Sequence, residues 1–271
     1  CFFTKMKFNN TISKMKVKFN NPVDYFFDFG ENSFLLNDYL NKKIKFSWHN
    51  KVKCICGKIF KEFYRQSFCY NCYWNSPQAS PSIFKPELSK AHLGEEDRDL
   101  EWEKKYQLQN HVVYLSVSSG LKVGVTRESD FITRWIDQGA KKAVILAKTP
   151  NRYLAGEIEY HLKTNHKIPD RTNWRKMLQN QVSDHDLLSE KEVLKTYLNQ
   201  DMLEYFCKED KVIKFNYPVL KFPLKVKSLS LSKTPLIEGR LLGLKGQYLL
   251  LDEDRVFNVR KHEGFIVDLE L

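Results

Sequence analysis

His111-Val-Val-Tyr-Leu-Ser-Val117, then Ser118-Ser-Gly120, then Leu121-Lys-Val-Gly-Val-Thr126 decides how the middle of this chain folds. Two β-branched runs flank a short turn containing glycine, which is the pattern of a β-hairpin. Beyond it, Thr133 to Gly139 has helical character with Trp135 and Ile136 apolar, and Ala143-Val-Ile-Leu-Ala147 reads as a buried third strand. Leu154, Ile158 and Leu162 then fall at i, i+4 and i+8, on one face of a helix that starts near Asn151. The succession is β-β-α-β-α, a mixed unit over residues 110–180, followed by a helical segment over 181–214.

Toward the N-terminus, Met15-Lys-Val-Lys-Phe19, Tyr25-Phe-Phe-Asp-Phe29 and Lys43-Ile-Lys-Phe-Ser-Trp48 alternate apolar and polar residues at period two. They predict a β module over residues 1–76 that leads into two cysteine pairs, Cys54-Ile-Cys56-Gly57 and Cys69-Tyr-Asn-Cys72. Two close pairs joined by a hairpin-length insert supply the four thiolates of a closed tetrahedral site, so one structural zinc ion is expected. Two disulfides of a secreted domain are the alternative, and no secretory signal accompanies them. The insert Lys58-Ile-Phe-Lys-Glu-Phe-Tyr-Arg65 alternates basic and aromatic residues, suited either to nucleic acid or to the small core of a metal-stapled hairpin.

Asn75-Ser-Pro-Gln-Ala-Ser-Pro81 marks a boundary, and residues 77–109 read as a connector with a solvated acidic face around Glu95 to Glu103. At the C-terminus, Leu236 to Asp252 carries Gly239, Gly243 and Gly246, and Glu253-Asp254 turns the chain into Arg255-Val-Phe-Asn-Val-Arg260. This predicts a small closed β-barrel over residues 215–271. The fold class is α+β.

Hydrophobic residues make up 42% of the 271, enough for folded cores and too many for a disordered chain. No apolar run reaches the ~18 residues of a membrane span. Cys1-Phe2-Phe3 is too short for a signal-peptide core, so a cytoplasmic location away from membranes is expected. Lys+Arg outnumber Asp+Glu by 44 to 33, a net charge of +11, which favours a polyanionic partner, DNA or RNA.

Val112-Val-Tyr114, Lys122-Val-Gly124-Val-Thr126, Arg134 and a helix bearing Glu159, in that order, resemble the GIY-YIG nuclease superfamily, in the branch whose second motif reads Lys-Ile-Gly. The whole chain is also similar to an uncharacterised bacterial family of unknown function. The shared features are a Cys-x-Cys-Gly hairpin, a Lys-Val-Gly-Val-Thr-Arg strand, Arg134 to Ala140, and Arg171 to Arg175. The nuclease resemblance implies metal-dependent phosphodiester hydrolysis over residues 110–175. Glu159 would hold a catalytic Mg²⁺ or Mn²⁺, with Glu157 as the fallback. Tyr114 would act on the attacking water, and Arg134 would stabilise charge in the transition state. Lys122 stands where the commoner motif has tyrosine; it can neutralise a phosphate but does not replace tyrosine's proton chemistry. Asn173 corresponds to the polar residue that closes such sites. Arg127, Arg152, Arg171 and Arg175 would add phosphate contacts, and Trp174 a stacking surface. The contrasting expectation is a non-catalytic module that docks on DNA, RNA or a ribonucleoprotein.

Overall fold

The computed structural model describes residues 7–271; Cys1 to Met6, and with them the reading of Cys1-Phe2-Phe3, lie outside the described residues. The chain divides into two units: one joins the stretch ending at Tyr73 to Asn216–Leu271, and the other is Trp74–Phe215.

In the first unit, period-two alternation does what it predicts. Strand Asp24–Phe29 buries Tyr25, Phe27 and Phe29 and pairs antiparallel with Lys16–Lys18 and Asn32–Leu35. A larger sheet is built around Lys43–Lys53, which takes Leu236–Lys245 on one side and Phe265–Glu270 on the other, both antiparallel. Lys7–Thr11 continues this sheet beyond Phe265–Glu270. Tyr248–Leu251, Arg255–Asn258 and Lys227–Leu229 continue it beyond Leu236–Lys245.

This topology corrects the expected C-terminal barrel over 215–271: the strand order has two ends, and the C-terminal strands share their sheet with N-terminal ones. The register gives the reason. Phe46 has Ile237 across one ladder and Leu269 across the other, and all three are buried. The C-terminal strands do not enclose this core by themselves, because the central strand that completes it, Lys43–Lys53, comes from the N-terminal end. The expected turn is present, with Glu253 and Asp254 both at positive φ, 56° and 64°, as a two-residue hairpin requires.

In the second unit, Ile213–Lys214, Lys142–Thr149, His111–Val117 and Leu121–Arg127 form an antiparallel sheet in that spatial order. Helix Phe131–Asp137 lies between the second and third strands in sequence, and helix Arg152–His166 follows the third, so the β-β-α-β-α succession is present. The Asn151 side chain starts the long helix by accepting from the Leu154 amide. Val113, Leu115 and Val123 of the sheet share one core with Ala155, Ile158 and Leu162 of that helix, and with Leu187 and Leu194 of helix Leu187–Lys195. The segment expected as a separate helical region is therefore part of the same core.

The connector belongs to this unit as well. A Cβ at Gly156 would lie 2.3 Å from the Glu87 amide nitrogen, so the glycine is what lets the turn Pro86–Leu88 press against the long helix. Arg152 is buried and donates to the carbonyls of Ser82 and Ile83. Within the acidic stretch, Glu103 departs from the solvated reading: it is buried and accepts from the amides of Asp97, Arg98 and Asp99. Among the described residues, no helix is long and apolar enough to cross a membrane.

His111 opens the first strand of this sheet fully buried. Its Nδ1–H donates to the Gln109 carbonyl at 2.7 Å, and Nε2 has no partner. Burial takes this imidazole down to about 4, and Arg152 and Arg127 nearby add to the fall. As pH drops, the unfolded chain takes up the proton first. The stability His111 contributes is thus complete above pH 6.5 and lost between 6.5 and about 4. The loss amounts to about 3 kcal/mol. Denaturant unfolding across that window should show this fall in the parent and a flatter profile in His111→Gln; identical profiles would assign the titration to other groups.

Candidate functional site

Leu121–Arg127 is the edge strand of the four-stranded sheet, and the candidate site forms around it. Gly124 stands directly opposite Tyr114. A Cβ on Gly124 would lie 2.6 Å from both Cζ and Oη of that tyrosine, so the glycine provides the space in which the phenol lies. Tyr114 is fully buried, its hydroxyl donates to Gln138 Oε1 at 2.8 Å, and its ring meets Trp135 edge-on at 5.6 Å. Burial raises the phenol's pKa, while the Arg134 guanidinium beside it acts in the opposite sense.

Two residues before Gly124 on the same strand, Lys122 is buried with Nζ 5.7 Å from the centre of the Tyr114 ring. Burial drives this ammonium down from 10.5 to about 7; Arg134 adds to the fall, and Glu159 and Asp170 oppose it. Glu159, half-buried on the long helix, is pushed up to about 7 by burial, against the pull of Lys122 and Arg152. Among the described residues, neither Lys122 nor Glu159 makes a hydrogen bond or a salt bridge. Ser116 Oγ, on the residue facing Lys122 across the ladder, is buried without a partner. Tyr114, Lys122, Arg134 and Glu159 thus share one electrostatic neighbourhood. Glu157 does not join them; it lies beside Tyr153 and is not among the charges acting on Lys122.

Three residues of this neighbourhood escape a reading of sequence. Asp170 follows the long helix on a segment held against the edge strand, where Val123 N–H donates to the Pro169 carbonyl at 2.8 Å. Its carboxylate acts on both Lys122 and Glu159 and is paired with Lys163. Glu87 reaches the site through the Gly156 contact. Neither has a local signature. Gln138 has one: it lies four residues after Arg134, capping the C-terminal end of helix Phe131–Asp137 with its amide on the Arg134 carbonyl.

The residues expected to bind nucleic acid divide. Arg152 is corrected to an anchoring role, since its guanidinium is already spent on the Ser82 and Ile83 carbonyls and lies 5.5 Å from the Tyr106 ring. Arg127 is paired with Asp130 and lies 5.2 Å from the same Tyr106 ring. Asn173 caps helix Trp174–Leu178 by accepting from the Lys176 amide. Arg175 sits 4.3 Å over the Trp174 ring, and Arg171 is exposed, its one ion-pair contact among the described residues being Asp170 at 4.0 Å.

In the first unit, the four cysteines converge: one sulfur from each of Cys54, Cys56, Cys69 and Cys72 lies within 4.8 Å of the others. Gly57, at φ +82°, turns the chain so that its amide donates to the Cys54 carbonyl, and the Cys69 amide donates to Cys54 Sγ at 3.2 Å. The Cys72 amide helps bring the Cys69 thiol down to about 7, while burial and the neighbouring sulfurs push Cys72 up to about 12. Four thiolates this close repel one another unless a cation lies among them, and the set is able to hold one metal ion such as zinc.

The molecule is therefore a mixed α+β protein with a four-cysteine cluster able to hold one metal ion in one unit and a buried polar cluster at an edge strand in the other. A family model described as Protein of unknown function (DUF2797) matches residues 41–267, and the chain belongs to that family. No curated protein and no solved structure gives a match.

The Tyr114–Gly124 contact makes a direct prediction. Gly124→Ala forces a methyl against the phenol and should cost about 1–3 kcal/mol in urea unfolding, the usual range for overpacking. In Tyr114→Ala that penalty should vanish, so the double variant should be more stable than the sum of the single losses; strict additivity would refute the contact.

Proposed function

We propose that this protein binds nucleic acid and hydrolyses phosphodiesters at the edge-strand site, with a divalent Mg²⁺ or Mn²⁺ held through Glu159. The observation that supports this reading is that Lys122 and Glu159 are drawn out of water beside Tyr114 and Arg134 without hydrogen-bond or salt-bridge partners of their own. Such groups gain most from a charged ligand that replaces their lost hydration. The GIY-YIG resemblance assigns these same four positions to catalysis.

One carboxylate is a sparse ligand set, and it fits an ion that keeps several waters and takes its other ligands from substrate phosphate. When bound, such an ion polarises the phosphoryl oxygen and lowers the pKa of a bound water. The chain's own residues do the rest. Arg134 offers a fixed cation to the charge that builds on the phosphate. Lys122, with its pKa near 7, is held at the balance between ammonium and amine, so it can neutralise phosphate or take a proton near neutral pH. Glu159, also near 7, is turned to its ionised form by a bound cation. Gln138 fixes the direction of the Tyr114 hydroxyl.

A specific observation favours a second reading, the non-catalytic module. Tyr114 is fully buried with its hydroxyl committed to Gln138, which suits a recognition platform whose tyrosine is a packing residue. For the cysteine cluster we take the ion to be zinc in a structural role, since four thiolates leave no open position. A cytoplasmic setting fits cysteines kept as thiolates.

Metal analysis of protein purified without chelator should return about one zinc per chain. Cys54→Ser or Cys72→Ser should lose it and open the hairpin to proteases, because ion binding and local folding are coupled. A metal-free, protease-resistant parent would refute the zinc assignment. For catalysis, labelled single-stranded, duplex and branched DNA and structured RNA are incubated with Mg²⁺ or Mn²⁺. Cutting by the parent should fall at least about a hundredfold in Glu159→Gln, in line with loss of a metal ligand, with binding retained. Binding without cutting by the parent on all four substrates would establish the platform reading instead.

A further inference from the structure

An open cleft of about 550 Å³ lies in the second unit, between the hairpin turn at Ser119–Leu121 and the segments running through 169–176 and 181–183. Its charged lining is of one sign: Arg171 and Lys176 contribute cations, and no carboxylate lines it. The Arg171 side chain is 92% exposed, and its one ion-pair contact, Asp170, lies at the 4.0 Å limit. Lys176 is exposed and, among the described residues, makes no salt bridge. Leu121, Pro169 and Val182 give the same cleft an apolar side. Cations on one side and apolar surface on the other match a nucleotide, with its phosphate on the first and its sugar and base against the second. The volume falls within the range of small-molecule sites, about 300–1,000 Å³.

The cleft is continuous in sequence with the edge-strand site. Leu121 lines the cleft and Lys122 the site; Pro169 and Arg171 line the cleft and flank Asp170, whose charge acts on both Lys122 and Glu159. The Pro169 carbonyl accepts from Val123, so this segment is held to the edge strand and does not swing independently of it.

We propose that this cleft is a strand subsite: it holds one nucleotide of a bound nucleic-acid strand, with the backbone phosphate on Arg171 and Lys176. The inference rests on the nucleic-acid reading above and does not require cleavage. It gives Arg171 a role distinct from that of Arg152, which is an anchor, and of Arg175, which is engaged with Trp174.

The test is fluorescence anisotropy with a labelled single-stranded oligonucleotide over a salt series, in the Glu159→Gln background so that the probe stays intact. Three proteins are compared: that background, Arg171→Ala/Lys176→Ala, and the control Lys85→Ala/Lys208→Ala, which removes the same charge from exposed positions outside the cleft. The cleft variant should bind about tenfold more weakly or worse and lose about 1.4 from the slope of log K against log salt, the share of two single-strand phosphate contacts. The control should lose much less, and Arg171→Lys/Lys176→Arg should restore the slope. Equal losses in the cleft variant and the control would mean that net charge alone acts, and would overturn the subsite, as would no loss at all. Cleft-dependent binding by a parent that never cuts would refute hydrolysis and leave the subsite standing. A parent that binds no nucleic acid would overturn both.

Discussion

A phenol ring lying where a side chain is missing is the constraint on which the second unit turns. Tyr114 can face the edge strand only because Gly124, opposite it, has no Cβ to fill that space. With the ring there, Trp135 packs edge-on against it, helix Phe131–Asp137 is fixed over that face, and Arg134 and Gln138 come to the hydroxyl. Lys122, two residues along the same strand, is carried into the same buried layer, with its ammonium over the ring. Burial then does the electrostatic work, lowering Lys122 and raising Glu159 until both stand near 7. A second close approach, at Gly156, places Glu87 at the other side of Glu159. Packing and site chemistry are therefore one arrangement seen at two scales.

The first unit is organised differently. Its sheet is centred on Lys43–Lys53, which pairs with strands from the far end of the chain, so the two ends close on each other around the second unit in sequence. The cysteine hairpin extends from this central strand, and its knuckle is shaped by the Gly57 turn and the amide-to-sulfur bond of Cys69. A hairpin of this size has little core of its own, and its four converging sulfurs are able to hold a metal ion that would staple it. Exposed Ile55, Ile59, Tyr64 and Tyr70 around it are consistent with a segment stapled mainly by its sulfurs.

The parts of this architecture visible in sequence are those with a short period or a fixed spacing. The hairpin at 111–127, the buried strand ending at Thr149, the Asn151 cap with its helix, and the paired cysteines all follow from local rules. The strands around Tyr25, Ile44 and Leu241 were equally legible, whereas Lys7–Thr11, Asn32–Leu35, Lys227–Leu229 and Phe265–Glu270 were not, and no pairing was: alternation says that a strand has an apolar face and does not say which strand will cover it. That is why residues 215–271 suggested a closed barrel when their apolar face in fact meets Phe46.

The sequence by itself determined the principal strands and helices, the four-cysteine cluster and the ordered set Tyr114, Lys122, Arg134 and Glu159, because each depends on residue identity and local spacing; helices Leu100–Gln107 and Trp174–Leu178 were not legible in it. Only the tertiary structure decided that Arg152 is an anchor, that Asp170, Gln138 and Glu87 belong beside those four, and that a cationic cleft adjoins them. Those facts depend on which surfaces meet across long stretches of chain, and burial, which sets both pairing and pKa, exists only once they have met.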